Sequence, residues 1–310
     1  MKKLLFIKTS SLGDVVHQCP AVSDAAHKVP AAQIDWVVEE SFAGIARMHS
    51  RVHRVIPVAI RRWRGTLWRS AVWREIAAFR KSVAAERYDA VVDSQGLLKS
   101  ALITCISSGT RHGMDRASAR EPLAARFYDR THEVPRGLHA VERNRRLTAA
   151  ALGYALDTRI EYGLTSDAVP SHRMPESYSV LLTMTSRADK LWPESRWIEL
   201  GRALALPVVL PWGSVQERER AERISRGIGQ AVVPQRMSIE ALAEVLKNAR
   251  SVVGLDSGLT HLAAALGVPC VAIFCGSNPA LTGLYGAPLA RNVGRAGEPP
   301  QVFDVLKALQ

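Results

Sequence analysis

The chain has 310 residues, 47% of them hydrophobic and 23% charged, which excludes a disordered polypeptide and leaves room for about two domains of roughly 150 residues. The four cysteines, Cys19, Cys105, Cys270 and Cys275, form no Cys-x-x-Cys pair, so neither a disulfide framework nor a structural zinc site is expected, and a reducing cytosol fits. The net charge of +12 is uneven, with 26 Lys/Arg against 16 Asp/Glu in residues 1–165 and 15 against 13 in residues 166–310; the first half is expected to meet an anion, with nucleic acid, a membrane surface and a phosphorylated substrate all open.

In chain order the pattern is strand, loop, helix, repeated. The apolar run in Met1–Lys8 is too short for a signal peptide, and no run approaches the ~20 apolar residues of a membrane span. Leu4–Ile7 reads as a strand, followed by a helix that Pro20 is expected to kink or restart. Ile34–Val38 and Val52–Val58 read as strands, and residues 68–85 as a helix from the spacing of Val72, Ile76, Phe79 and Val83. Asp89–Asp93 is a strand, followed by a helix with Leu98, Ala101, Leu102 and Cys105 expected on one face. Residues 107–137 are irregular, and Ala140–Leu152 is a helix stopped by Gly153. A linker is expected in residues 154–177, which contain Pro170 and Pro175.

The alternation then resumes. Tyr178–Leu182 is a strand, Pro193 is expected at the first position of a helix, and Pro207–Leu210 is a strand. Ser238 should cap a helix over residues 239–248; Val252–Leu255 is a strand, then come a short helix and the strand Cys270–Phe274. Two runs of alternating β and α predict an α/β protein with two doubly wound parallel sheets, whose ligands bind at the carboxyl ends of strands.

Three strand-end loops carry the chemistry-bearing residues. Lys8-Thr9-Ser10-Ser11-Leu12-Gly13-Asp14 is small and polar and puts Asp14 at a helix start. Such an Asp is either the N-cap or a carboxylate poised as a general base. Asp256-Ser257-Gly258-Leu259-Thr260-His261 opens a helix with no bulky residue, so its N–H groups can meet phosphate, unless the loop is a plain turn with a core histidine. Thr183-Met184-Thr185-Ser186-Arg187-Ala188-Asp189-Lys190 offers hydroxyls and two cations to an anion, or is a solvated turn. The stretch Arg61-Arg62-Trp63-Arg64 interleaves arginine and tryptophan, which suits nucleic acid or a phosphosugar better than a solvated helix face. Gly-x-Gly-x-x-Gly, Asp-x-Asp and His-Glu-x-x-His are absent, and Gly96-Leu97-Leu98-Lys99-Ser100 is only half a P-loop.

Taken together, these segments resemble the lipopolysaccharide heptosyltransferases of glycosyltransferase family nine, most closely those that add the first heptose to the Kdo–lipid A core. The resemblance is carried by Lys8–Val15, Asp35–Glu40, Val55–Arg64, Gln95–Leu97, His112–Asp115, Ala119–Leu123 and His139–Arg143. It continues through Asp189-Lys190 with Trp192–Glu194, Leu210–Gly213 and Asp256–Leu262. Departures are Ser257 where the donor loop often has Thr, Thr185-Ser186 for a pair of threonines, Ser94 for Ala, and a short tail over Phe303–Gln310.

The resemblance implies a GT-B fold, two Rossmann-like domains facing a cleft, with an acceptor domain over 1–160 and a donor domain over 161–310. It implies an inverting, metal-independent transfer from ADP-L-glycero-D-manno-heptose to the inner Kdo of Kdo2-lipid A. The protein would lie peripherally on the cytoplasmic face of the inner membrane, with no nucleic-acid partner. Asp14 would be the base and Lys190 the stabiliser of the leaving ADP. Thr185, Ser186, Glu217, Met237, Asp256, Ser257, Gly258 and His261 would form the donor site with Lys190. Arg61, Arg62, Arg64 and Arg120 would hold the acceptor's phosphate and carboxylate groups. A heptosyltransferase II-like enzyme, a sugar-nucleotide 2-epimerase on the same fold and a basic nucleic-acid binder are the alternatives.

Overall fold

The computed structural model describes residues 1–166 and 174–310. The chain divides into two units, Met1–Leu164 and Thr165–Gln310. The first contains a sheet of β1 (Lys3–Ile7), β2 (Gln33–Glu39), β3 (Arg54–Val58), β4 (Arg87–Asp93), β5 (Ser108–Met114) and β6 (Arg130–His132). All pairs are parallel and the order is β3-β2-β1-β4-β5-β6. The second contains β7 (Ser179–Leu182), β8 (Val208–Val209), β9 (Ala231–Val232), β10 (Ser251–Leu255), β11 (Cys270–Phe274) and β12 (Ala290–Gly294). Its order, β12-β11-β10-β7-β8-β9, repeats the same parallel topology. Strand order therefore reverses between β1 and β4 and again between β7 and β10. Ligands of doubly wound sheets bind beyond the carboxyl ends of strands at these reversals. The loops after β1, β7 and β10 are the three singled out by sequence.

The central strands are apolar runs because helices cover both faces: Leu5, Phe6, Ile7, Val91, Val92, Val253, Leu255, Ala272 and Ile273 are fully buried. The helix Leu12–Lys28 runs unbroken through Pro20, so it does not restart there. Pro20 withholds one N–H at a cost of about 3 kcal/mol. Burial of Val15, Val16 and Val22, at about 1.5–3 kcal/mol each, outweighs it.

Other expectations change with the tertiary contacts. The helix Leu98–Thr104 buries Ser100, Ala101, Ile103 and Thr104, while Leu102 and Cys105 are exposed, so its inward face is not the one expected. Residues 107–137 contain β5 and β6, hidden by polar composition. Gly113 in β5 is required because a Cβ there would sit 2.2 Å from the Tyr128 ring. Pro193 is the N-cap rather than the first residue of the helix Glu194–Ala203. The helix Val215–Ile228 and the strand β9 were not foreseen. The expected linker fails over residues 154–164, which belong to the first unit: the buried Arg145 guanidinium donates to Asp157 O at 3.0 Å and Arg159 O at 2.8 Å, and Ser50 N–H to Gly163 O at 2.9 Å. Pro170 lies outside the described residues. The tail forms the helix Val302–Ala308, with Val302 and Val305 buried in the second core.

Candidate active site

In the first unit the β1 and β4 loops are sewn together. Gln95 Oε1 accepts from Thr9 N–H at 3.1 Å and Ser10 N–H at 3.2 Å. Asp93, wholly buried, accepts from Gln95 N–H at 2.8 Å and the Tyr128 hydroxyl at 2.8 Å, which turns the β4 loop back over the sheet. Lys8 is buried with its Nζ donating to Ser94 O at 2.8 Å and Asn144 Oδ1 at 3.2 Å. Burial lowers its pKa to about 8, Asp14 and Asp93 opposing the shift and Arg120 and Arg143 reinforcing it.

Asp14 is not the N-cap of its helix. Ser11 holds that position, and Asp14, three residues on, accepts from Ser11 N–H at 2.8 Å, the return bond of a capping box. Its other oxygen meets Arg120 Nη2 at 2.7 Å. Burial pushes the Asp14 carboxyl up, but Lys8, Arg120 and the Ser11 N–H together hold it below the usual range. The side chain remains 15% exposed, so a carboxylate that is ionised at neutral pH still meets solvent. Cations surround it: Lys99 donates to Ser10 Oγ at 2.9 Å, and its pKa is lowered by burial and by Arg61 and Arg64 against the pull of Glu39. Arg143, lowered by burial and by Arg120 and Arg136, donates to Ser118 O at 2.6 Å.

The four arginines expected to meet the acceptor divide into classes. Arg120 pairs with Asp14. Arg62 is held by two carboxylates, Glu40 at 3.0 Å and Glu75 at 2.8 Å, which raise its pKa. Arg61 lies 5.0 Å above the Phe42 ring. Arg64 is exposed, and no side-chain hydrogen bond or ion pair engages it among the described residues. Arg61 N–H donates to Glu39 Oε1 at 3.1 Å, but the guanidinium groups of Arg61 and Arg64 form no ion pair with a carboxylate among the described residues.

In the second unit Lys190 ends a single turn, Ala188–Lys190, after β7. Its Nζ meets Asp256 Oδ2 at 2.5 Å, and the Ser277 hydroxyl donates to the same oxygen at 2.5 Å. His261 Nε2 lies 3.5 Å from Asp256 Oδ1. Burial would raise the Asp256 pKa, but His261, Lys190 and Ser277 hold it well below the usual carboxylate range. Asp256 thus anchors Lys190 beside the N-terminus of the helix Gly258–Ala265, whose cap is Ser257. The first N–H groups of that helix lack intrahelical acceptors and form the positive end of its dipole. The arrangement offers an ammonium and a helix N-terminus to one anion. Gly276 permits the close approach of β11's loop: a Cβ there would sit 2.7 Å from Asp189 O.

The remaining residues expected at the donor site are less uniform. Thr185 Oγ1 donates to Asp256 O at 3.2 Å, and Ser186 is exposed. Glu217 is bound into its own helix cap, accepting from Gly213 N–H at 2.6 Å and Ser214 N–H at 3.2 Å. Met237 is partly buried just before the cap Ser238. Sequence reasoning missed Ser277, although it follows β11 and the strand-end rule points there. It also gave no role to Lys8, Lys99 and Arg143, which lie in or beside segments it had singled out.

Residues 76–302 match the model of glycosyltransferase family 9 (heptosyltransferase). The chain is 48% identical to lipopolysaccharide heptosyltransferase 1 of Pseudomonas aeruginosa over 292 residues, covering 92% of this chain and 81% of that protein. Among solved structures it is similar to E. coli heptosyltransferase WaaC with ADP, at a TM-score of 0.88 and 42% identity over 98% of both chains. WaaC with ADP-2-deoxy-2-fluoro heptose matches at 0.85 and 41%, again over 98% of both. The two parallel sheets are thus those of a GT-B fold, and the chain belongs to glycosyltransferase family 9, the heptosyltransferases.

Proposed function

We propose that the protein transfers L-glycero-D-manno-heptose from ADP-heptose to the inner Kdo of Kdo2-lipid A, in lipopolysaccharide inner-core synthesis, with inversion and without a metal. The observation that carries this reading is the 48% identity spread over 92% of the chain, and hence over both units. The basic unit Met1–Leu164 would take the acceptor, and Thr165–Gln310 the donor. In the transfer, an acceptor hydroxyl oxygen forms a bond to the anomeric carbon while the bond from that carbon to the diphosphate breaks. The proton passes to Asp14 and the electron pair leaves on ADP. Lys190 and the helix N-terminus at Ser257-Gly258 oppose the charge that develops on the departing diphosphate, the role a metal plays elsewhere. Asp256, His261 and Ser277 hold Lys190 in place, and Thr185, Ser186, Glu217 and Met237 complete the donor site. Arg61, Arg62, Arg64 and Arg120 receive the acceptor's anionic groups. The same lipid acceptor places the protein on the cytoplasmic face of the membrane, and among the described residues no helix is long and apolar enough to cross one. Incubation with ADP-heptose and Kdo2-lipid A should add one heptose mass to the lipid and release ADP. No mass gain, with ADP-heptose hydrolysed or unchanged, would overturn the reading.

A further inference from the structure

Two of the seven tryptophans are strongly exposed, Trp68 at 77% and Trp73 at 58%, and Leu67 beside them is 46% exposed. They share one exposed surface segment. At one end Trp63 is buried, its Nε1 donating to Glu75 at 2.8 Å and its ring 5.9 Å from Phe79. At the other end Val72 is buried in the same core. Between these anchors the chain leaves the core but stays ordered: Arg69 N–H donates to Thr66 O at 3.0 Å, and Trp73 Nε1 to Leu67 O at 2.8 Å. Residues 61–74 hold five arginines and no acidic residue. Arg69 and Arg74 are exposed there, and no side-chain hydrogen bond or ion pair engages them among the described residues.

Exposed indole rings beside unpaired guanidinium groups match the interface of an anionic bilayer. There indole rings settle at headgroup level, and each basic residue near the surface gains from the negative potential. A nucleic-acid groove would pair the same charges but leave Leu67 without a partner. We infer that Leu67, Trp68 and Trp73 insert into the headgroup region of an anionic bilayer, with Arg69 and Arg74 on its lipid phosphates. The inference deepens the lipid-acceptor reading and rests on it for its purpose, but the binding itself needs neither substrate.

The test is sedimentation of the full chain with vesicles of phosphatidylglycerol and phosphatidylethanolamine, against vesicles of phosphatidylcholine alone, with no sugar nucleotide present. The protein should sediment with the anionic vesicles and not with the neutral ones. Arg69→Gln with Arg74→Gln should lower the partition coefficient about 30-fold at low salt, about fivefold for each charge. Trp68→Ser with Trp73→Ser should lower it about tenfold or more, with an unchanged thermal midpoint, since both rings are exposed. Wild-type tryptophan emission should shift to the blue on anionic vesicles, and the shift should vanish in Trp68→Phe with Trp73→Phe. Turnover on a deacylated, water-soluble acceptor should stay at the wild-type level in the serine variant. Equal binding to both vesicle types, unchanged partition of either double variant, or an oligonucleotide that binds through these residues while vesicles do not, would each overturn the inference. Vesicle binding by a protein that transfers no heptose would leave it standing and defeat only the proposed reaction.

Discussion

Replacing Asp14 by Asn separates a helix-cap role from a catalytic one, and the structure sets the scale of each. Asn can still accept from Ser11 N–H, now at 2.8 Å from the carboxylate, so the return bond of the capping box survives. The charge does not. Losing an anion in the first helical turn costs about 0.3–1 kcal/mol. Losing the pair with Arg120, itself 43% exposed, costs at most about 1 kcal/mol after solvent screening. The sum, at most about 2 kcal/mol, lowers Tm by no more than roughly 8 °C for a domain of this size. If Asp14 takes the proton, kcat falls by about 10²–10⁴-fold, or about 3–5 kcal/mol of transition-state stabilisation. The catalytic loss is therefore larger than the structural one. The assay is ADP release with Kdo2-lipid A, beside thermal unfolding and ADP-heptose binding. A second variant tests the charge: Arg120→Gln removes a cation that holds the Asp14 pKa down. The acid limb of kcat/KM should then move to higher pH. A folded Asp14→Asn protein that binds donor and turns over at more than about a tenth of the wild-type rate would refute the base assignment.

Lys190→Ala should lower kcat by about 10²-fold or more with donor bound, read by single-turnover ADP release; unchanged kinetics would leave the Lys190–Asp256 pair a purely structural one. Arg61→Ala and Arg64→Ala should raise the acceptor KM more than the ADP-heptose KM. Arg62→Ala should do so less, because Glu40 and Glu75 already hold its guanidinium; equal KM effects at all three would contradict this division. Excess EDTA should leave transfer intact, and loss of activity restored by magnesium would remove Lys190 and the helix N-terminus from their role. Burial lowers the pKa of His49 and His112 from 6.5 to about 4. The unfolded chain therefore binds protons first as pH falls, so stability present above about pH 6.5 is lost progressively toward pH 4. Tm scans should show this fall, and His112→Gln should flatten part of it.

Much of the fold was legible because local pattern and burial agree. Runs such as Leu4–Ile7, Val252–Leu255 and Cys270–Phe274 are apolar without alternation, as strands covered on both faces must be. Small polar residues after β1, β7 and β10 marked the loops, and the topology rule then assigned them to ligand. The charge imbalance was likewise plain by counting, since both sums come from composition alone. Other features required the tertiary structure. β5, Ser-Gly-Thr-Arg-His-Gly-Met, carries no strand pattern of its own; it is held by pairing with β4 and by Tyr128, which needs the space Gly113 leaves. The helix Leu98–Thr104 turns Ile103 inward and Leu102 outward because its neighbours, not its own spacing, choose the buried face. Asp14 meets Arg120 across 106 positions, and Ser277 reaches Asp256 across 21. Local sequence specifies contacts within a turn or two, but only strand order decides which distant loops meet, and so which carboxylate is paired, which lysine is anchored and which arginine remains free.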